Sequence, residues 1–203
     1  ITVNGTITTT EGRITIDSSN DVLINNALLA QGITGMINID AVNDVIATGA
    51  VATLTAFQII DIDAGNDATF AAALETTGNR IDIDAGQSVT LNDSLTAGTN
   101  ITINAGNTIG AITADGSLTA QNGNITITNQ NGDIDLSGIL DASNTITIKT
   151  ETNPGNITVG AAGEADHIAI NSSGTVNVNG ALNATGLTSL IINAAGDITT
   201  ADA

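Results

Sequence analysis

The stretch Arg80-Ile81-Asp82-Ile83-Asp84-Ala85-Gly86 returns twenty residues later as Asn100-Ile101-Thr102-Ile103-Asn104-Ala105-Gly106. Apolar and polar residues alternate within each copy, and the apolar ones are β-branched, so each reads as a half-buried strand. The same pair of apolar positions recurs along the whole chain about 22 residues apart. One column is Ile14, Ile37, Ile60, Ile81, Ile101, Ile125, Ile146, Ile168 and Leu190. The other lies two residues on, from Ile16 through Ile39, Ile62, Ile83, Ile103, Ile127, Ile148 and Ile170 to Ile192. A unit this short cannot bury its own apolar face, so neighbouring copies must stack and share one core.

Each unit holds two further short apolar segments. The second includes Val22/Ile24, Val89/Leu91, Ile134/Leu136, Ile157/Val159 and Val176/Val178. The third carries Leu28, Leu74, Leu95, Leu140 and Leu182. Gly, Asn, Asp and Ser separate them, which is turn chemistry. Three short strands per repeat make one coil of an all-β parallel β-helix, and about nine coils give a rod of about 40 Å. Right-handed winding is expected, because that is the general preference of parallel crossovers. Helix is disfavoured by 22 glycines and by abundant Thr and Asn. Ala68 to Thr77 is the one window where it could be argued. The whole of 1–203 therefore reads as a single solenoid segment.

The corner after the first strand is expected to carry an amide ladder of Asn20, Asn43, Asn66, Gln87 and Asn107. Two insertions break the period, at Ala111 to Gly116 and at Lys149 to Asn156, the latter with the one proline, Pro154. Both are expected to lie on loops, as tolerated bulges or as binding elements.

Composition removes several function classes. The net charge is −18, with Arg13, Arg80 and Lys149 as the fixed cations. No clustered basic residues are present to neutralise phosphates, so nucleic acid is not an expected partner. An anionic membrane surface is repelled for the same reason. No apolar run reaches the length of a membrane-spanning helix. The absence of cysteine rules out disulfides and thiolate metal sites. Aromatic residues amount to Phe57 and Phe70.

Candidate chemistry is sparse, and no catalytic residue is expected. His167, the one histidine, lies in the outward column of Arg13 and Arg80 and lacks the partners a general base needs. Asp17, Asp40 and Asp63 recur on one side of the corner, and Asp21, Asp44 and Asp67 on the other. Facing carboxylate columns flanking amide carbonyls offer oxygen ligands of the kind Ca²⁺ takes, so these six form a candidate calcium corner. A solvated acidic turn is the simpler reading.

The segments Arg80 to Gly86, Asn100 to Gly106 and, more loosely, Leu190 to Gly196 resemble the repeats of filamentous-haemagglutinin-type bacterial exoproteins and related β-strand-repeat surface proteins. That resemblance implies a right-handed β-helix shaft, secretion through an outer-membrane partner, and adhesion or biofilm roles. The expectation is a non-enzymatic, extracellular structural rod on the cell surface. Its partners would be further coils of a longer parent, or further copies stacked end to end, because Ile1 to Gly5 and Ile198 to Thr200 both read as exposed second strands. An adhesin module recognising a glycan or protein through the acidic face and inserted loops is the alternative. A polysaccharide lyase, an activity some β-helices carry, is the remote one.

Overall fold

The computed structural model describes residues 1–49, 51–106, 109–152, 154–186 and 190–201. Every regular element in them is a β-strand, and each strand pairs in parallel with its equivalent one coil away. Three sheets result, of ten, nine and nine strands. One of the nine-stranded sheets, here the isoleucine sheet, holds the longer strands, such as Arg13–Ser18, Met36–Ala41, Ile59–Ala64, Ile81–Ala85 and Ile101–Ala105. The second sheet, of ten strands, runs from Thr2–Val3 through Ala68–Phe70 to Ile198–Thr200, and the third, of nine, from Ile7–Thr9 to Leu182–Ala184. The chain is a β-solenoid of about nine turns with about 22 residues per turn.

Both isoleucine columns lie in register through the entire stack. Ile81 pairs with Ile60 and Ile101, and Ile83 with Ile62 and Ile103. Successive side chains in a strand point to opposite faces, so Ile-x-Ile sends both isoleucines inward and the intervening residue outward. The inward side chains of all three sheets form one continuous aliphatic core.

Two details refine the sequence reading. Ala68 to Thr77 is not helical but supplies two strands, Ala68–Phe70 and Leu74–Thr76, with Phe70 fully buried. The leucine column of the third sheet is interrupted by Gly163, which pairs with Leu140 on one side and Leu182 on the other. A Cβ on Gly163 would stand 2.9 Å from Leu182 Cδ2, so Leu182 leans over and takes up the missing volume.

The insertions sit differently from the sequence expectation. Ala111 to Gly116 is not a loop: Ile112–Ala114 is a regular strand of the second sheet, with Val89 paired to Ile112. The extra length comes before that strand: six residues separate Ala105 from Ile112, where three separate Ala85 from Val89. Lys149 and Thr150 likewise close the strand Thr145–Thr150, and the extra length follows it, before Ile157–Val159.

Candidate functional site

The outer face of the isoleucine sheet carries three columns, two residues apart along each strand. In the first four coils the first reads Arg13, Met36, Ile59, Arg80, and the second Thr15, Asn38, Asp61, Asp82. The third reads Asp17, Asp40, Asp63, Asp84. From the fifth coil on the acids cease, and Thr102, Thr126 and Thr147 continue the second column. The acidic surface is thus confined to one half of this face.

Parallel pairing places like carboxylates about 4.8 Å apart. Asp61 and Asp63 both titrate above the ordinary value of 3.8, chiefly because neighbouring strands strip solvent from them. Repulsion adds to this, from Asp82 and Asp84 on Asp61, and from Asp61, Asp84 and Asp40 on Asp63. Arg80, whose Nε bonds Asp82 Oδ2, opposes the shift at Asp61. A carboxyl whose pKa is raised by folding adds stability that is complete below 3.8 and lost as the pH rises through the folded value. Acidification from pH 7 toward 4 should therefore increase the contribution of these two groups to the melting temperature. Asp63→Asn should stabilise the protein at pH 7 and flatten that profile. A melting temperature lower in Asp63→Asn than in the wild type at pH 7 would contradict the sign.

The six residues of the candidate calcium corner do gather along one edge. Asp17, Asp40 and Asp63 align in register, whereas Asp44 and Asp67 are engaged by backbone. Asp44 Oδ1 accepts the N–H of Asp67 at 3.2 Å, and Asp67 Oδ1 that of Ser88 at 3.0 Å. Asp21 accepts the terminal ammonium of Ile1 at its carbonyl, at 2.7 Å. Among the described residues no three acidic or histidine side chains converge as a metal site. The Asp44 and Asp67 carboxylates thus act as cross-coil caps. Stabilisation by CaCl₂ should accordingly match that by NaCl at equal ionic strength, as screening requires. A saturable, calcium-specific rise in melting temperature, abolished by Asp40→Asn with Asp44→Asn, would establish an ion site instead.

The amide ladder is present in segments. Asn43 Nδ2 donates to Asn20 Oδ1, and Gln87 Nε2 to Asn66 Oδ1 at 3.3 Å. Between Asn43 and Asn66 the backbone carries the link, Asn66 N–H to Asn43 C=O at 2.9 Å. Asn107 lies outside the described residues. The Asp-Ala-Gly signature has a steric basis at this corner. A Cβ on Gly65 would stand 1.9 Å from the Val42 carbonyl oxygen, and one on Gly86 would stand 2.0 Å from that of Gly65.

A buried polar cluster went unread in the sequence. The inward alanine column Ala41, Ala64, Ala85 and Ala105 gives way to Asn129, Thr150 and Ser172. Asn129 Nδ2 donates to the carbonyls of Gly110 and Asp133 at 3.1 and 2.9 Å. Thr150 and Ser172 hydroxyls both donate to Gly155 C=O, at 2.8 and 2.7 Å. These bonds hold the two longer corners against the core, and between them runs a groove of about 510 Å³ edged by Ile109 and Pro154. The available signal was the loss of Ala from its fixed place after Ile-x-Ile-x.

His167 occupies the outward column as expected and pairs with Thr145. Its Nδ1 is buried without a hydrogen-bond partner. Among the described residues no helix is long and apolar enough to cross a membrane, which says nothing of a β-barrel. No family model, curated protein or solved structure matches the chain.

Proposed function

We propose that this chain is a non-enzymatic structural rod, a segment of the shaft of a bacterial surface fibre or adhesin, working outside the cell. The observation that supports this reading is the unbroken register of the stack. Each coil is bonded to the next by three parallel strands and shares one aliphatic core, an arrangement suited to holding reach and stiffness. The excess of carboxylates keeps such a rod soluble and repels other acidic surfaces. The rod lengthens by strand-edge addition, either within a longer parent or between copies in a non-closing contact.

Negative-stain microscopy with sedimentation analysis tests this directly. Concentration-dependent linear particles, one rod wide, are the expected result for the segment. A monodisperse monomer at high micromolar concentration overturns addition between copies. Turnover of an acidic polysaccharide, with or without Ca²⁺, overturns the non-enzymatic reading.

The groove beside Ile109 and Pro154 favours a second reading, a ligand-binding adhesin module. Its walls are fixed by the Asn129, Thr150 and Ser172 bonds, so a ligand would meet a preorganised surface. Saturable binding of a glycan or protein, lost on Ile109→Ser, would decide for that reading.

A further inference from the structure

Asparagine is followed by glycine at four places, Asn4, Asn122, Asn131 and Asn179. Glycine has no side chain to keep its backbone nitrogen from the preceding carboxamide, so here an Asn side chain can react with its own main chain. The fold treats the four unequally. Asn131 is held at both ends of its amide: Nδ2 donates to Gly106 C=O at 3.1 Å, and Oδ1 accepts the Thr152 hydroxyl. At Asn179 the nucleophile is engaged, since Gly180 N–H donates to Val159 C=O at 3.4 Å. Gly123, after Asn122, is buried, and a Cβ there would stand 2.4 Å from Asn100 Oδ1. Asn4 and Gly5 are both exposed, and a Cβ on Gly5 would meet nothing within 4 Å. Among the described residues Gly5 N–H has no acceptor.

Two amides of the next coil point at the Asn4–Gly5 unit. Asn25 Nδ2 donates to Asn4 Oδ1 at 2.8 Å, and Asn26 Nδ2 to Asn4 C=O at 3.4 Å. The orientation of the Asn26 amide is fixed, because its Oδ1 accepts the Thr6 hydroxyl and Ala27 N–H, both at 2.9 Å. We propose that Asn4 is a site of spontaneous deamidation, promoted by Asn25 and Asn26. Gly5 N–H gives its proton to solvent hydroxide, and the nitrogen attacks Asn4 Cγ. Negative charge builds on Oδ1, where the Asn25 N–H already points. The Asn26 bond draws electron density onto the Asn4 carbonyl oxygen and so acidifies the N–H of the same peptide unit. The Cγ–Nδ2 bond breaks, ammonia leaves with a proton from water, and a five-membered imide remains. Water opens the imide at either of its carbonyl carbons, leaving aspartate or isoaspartate.

The fold tolerates the product. The new carboxylate keeps the Asn25 amide as a donor, and a charged acceptor strengthens that bond. Isoaspartate adds a main-chain carbon between the strands Thr2–Val3 and Ile7–Thr9, at the corner where Gly5 has open space. Loss of ammonia makes the change irreversible, so it marks the age of the chain. The inference is independent of the rod reading, since it concerns one corner and its chemistry.

The test is peptide mapping by mass spectrometry of the 203-residue chain, incubated at mildly alkaline pH both folded and in urea. In the folded chain Asn4 should deamidate about fivefold faster or more than Asn122, Asn131 or Asn179. In urea the four rates should converge to within about twofold, since the cross-coil donors are gone. Asn25→Ala should slow the reaction at Asn4 about threefold or more in the folded chain. Were the Asn25 bond only a restraint on the Asn4 side chain, the same substitution would speed it. Another site leading in the folded chain, a lead of Asn4 that persists in urea, or a rate unchanged or raised in Asn25→Ala would each overturn the proposal. The urea comparison uses the wild type and so does not depend on how the variant folds.

Discussion

Phe70→Ala is expected to destabilise the rod by about 3–5 kcal/mol, through lost apolar burial and a cavity that the stack cannot close. Phe70 is fully buried and pairs with Ala47 in one neighbouring coil and Leu91 in the other. The small Ala47 leaves room for the ring, so on that side no large side chain is poised to fill the gap. Phe70→Leu should lose much less, because most of the volume is retained. In a solenoid each coil contacts only its neighbours, so the damage should also be local. Hydrogen exchange should show lost protection centred on Ala68–Phe70, Val45–Ala47 and Val89–Leu91. A cost below about 1 kcal/mol by chemical denaturation would mean that the ring is not packed as described.

Ile103→Ala should cost about 2–5 kcal/mol by the same mechanism, at mid-rod. Ile103 is fully buried and pairs with Ile83 and Ile127. Its neighbour Thr102 faces outward between Asp82 and Thr126, and Thr102→Ala should change stability by no more than about 0.5 kcal/mol. The two substitutions lie on adjacent residues of one strand, so their contrast measures the register itself. Equal losses would reject the inward placement of the isoleucine columns.

These two positions differ in how visible they were. Ile103 belongs to a column that repeats with one residue type through nearly every coil, and period-two alternation leaves no other face for it. Phe70 sits in Ala68 to Thr77, where alanines and a single aromatic blur the alternation. Pairing with Val45–Ala47 and Val89–Leu91 makes that window a strand, because its backbone groups must bond to the coils on either side. The insertions show a related limit. Isoleucine spacing gives the length of a coil but not which of its three corners takes the extra residues. Pairing of Val89 with Ile112 puts the extra length between the strands Ile101–Ala105 and Ile112–Ala114.

The candidate sites divide in the same way. The Asp columns were legible, being fixed by the repeat, but the engagement of Asp44 and Asp67 with backbone N–H groups depends on the height of one coil above the next. The column shared by Arg13 and Arg80 was likewise legible. By itself the sequence determined the repeat, the strand faces, the shared core and the charge, because these follow from side-chain period and composition. Tertiary structure alone decided the corners and the buried polar cluster at Asn129, Thr150 and Ser172. Those features are made by contacts within a corner and from one coil to the next, where backbone geometry, and not local pattern, sets which groups meet.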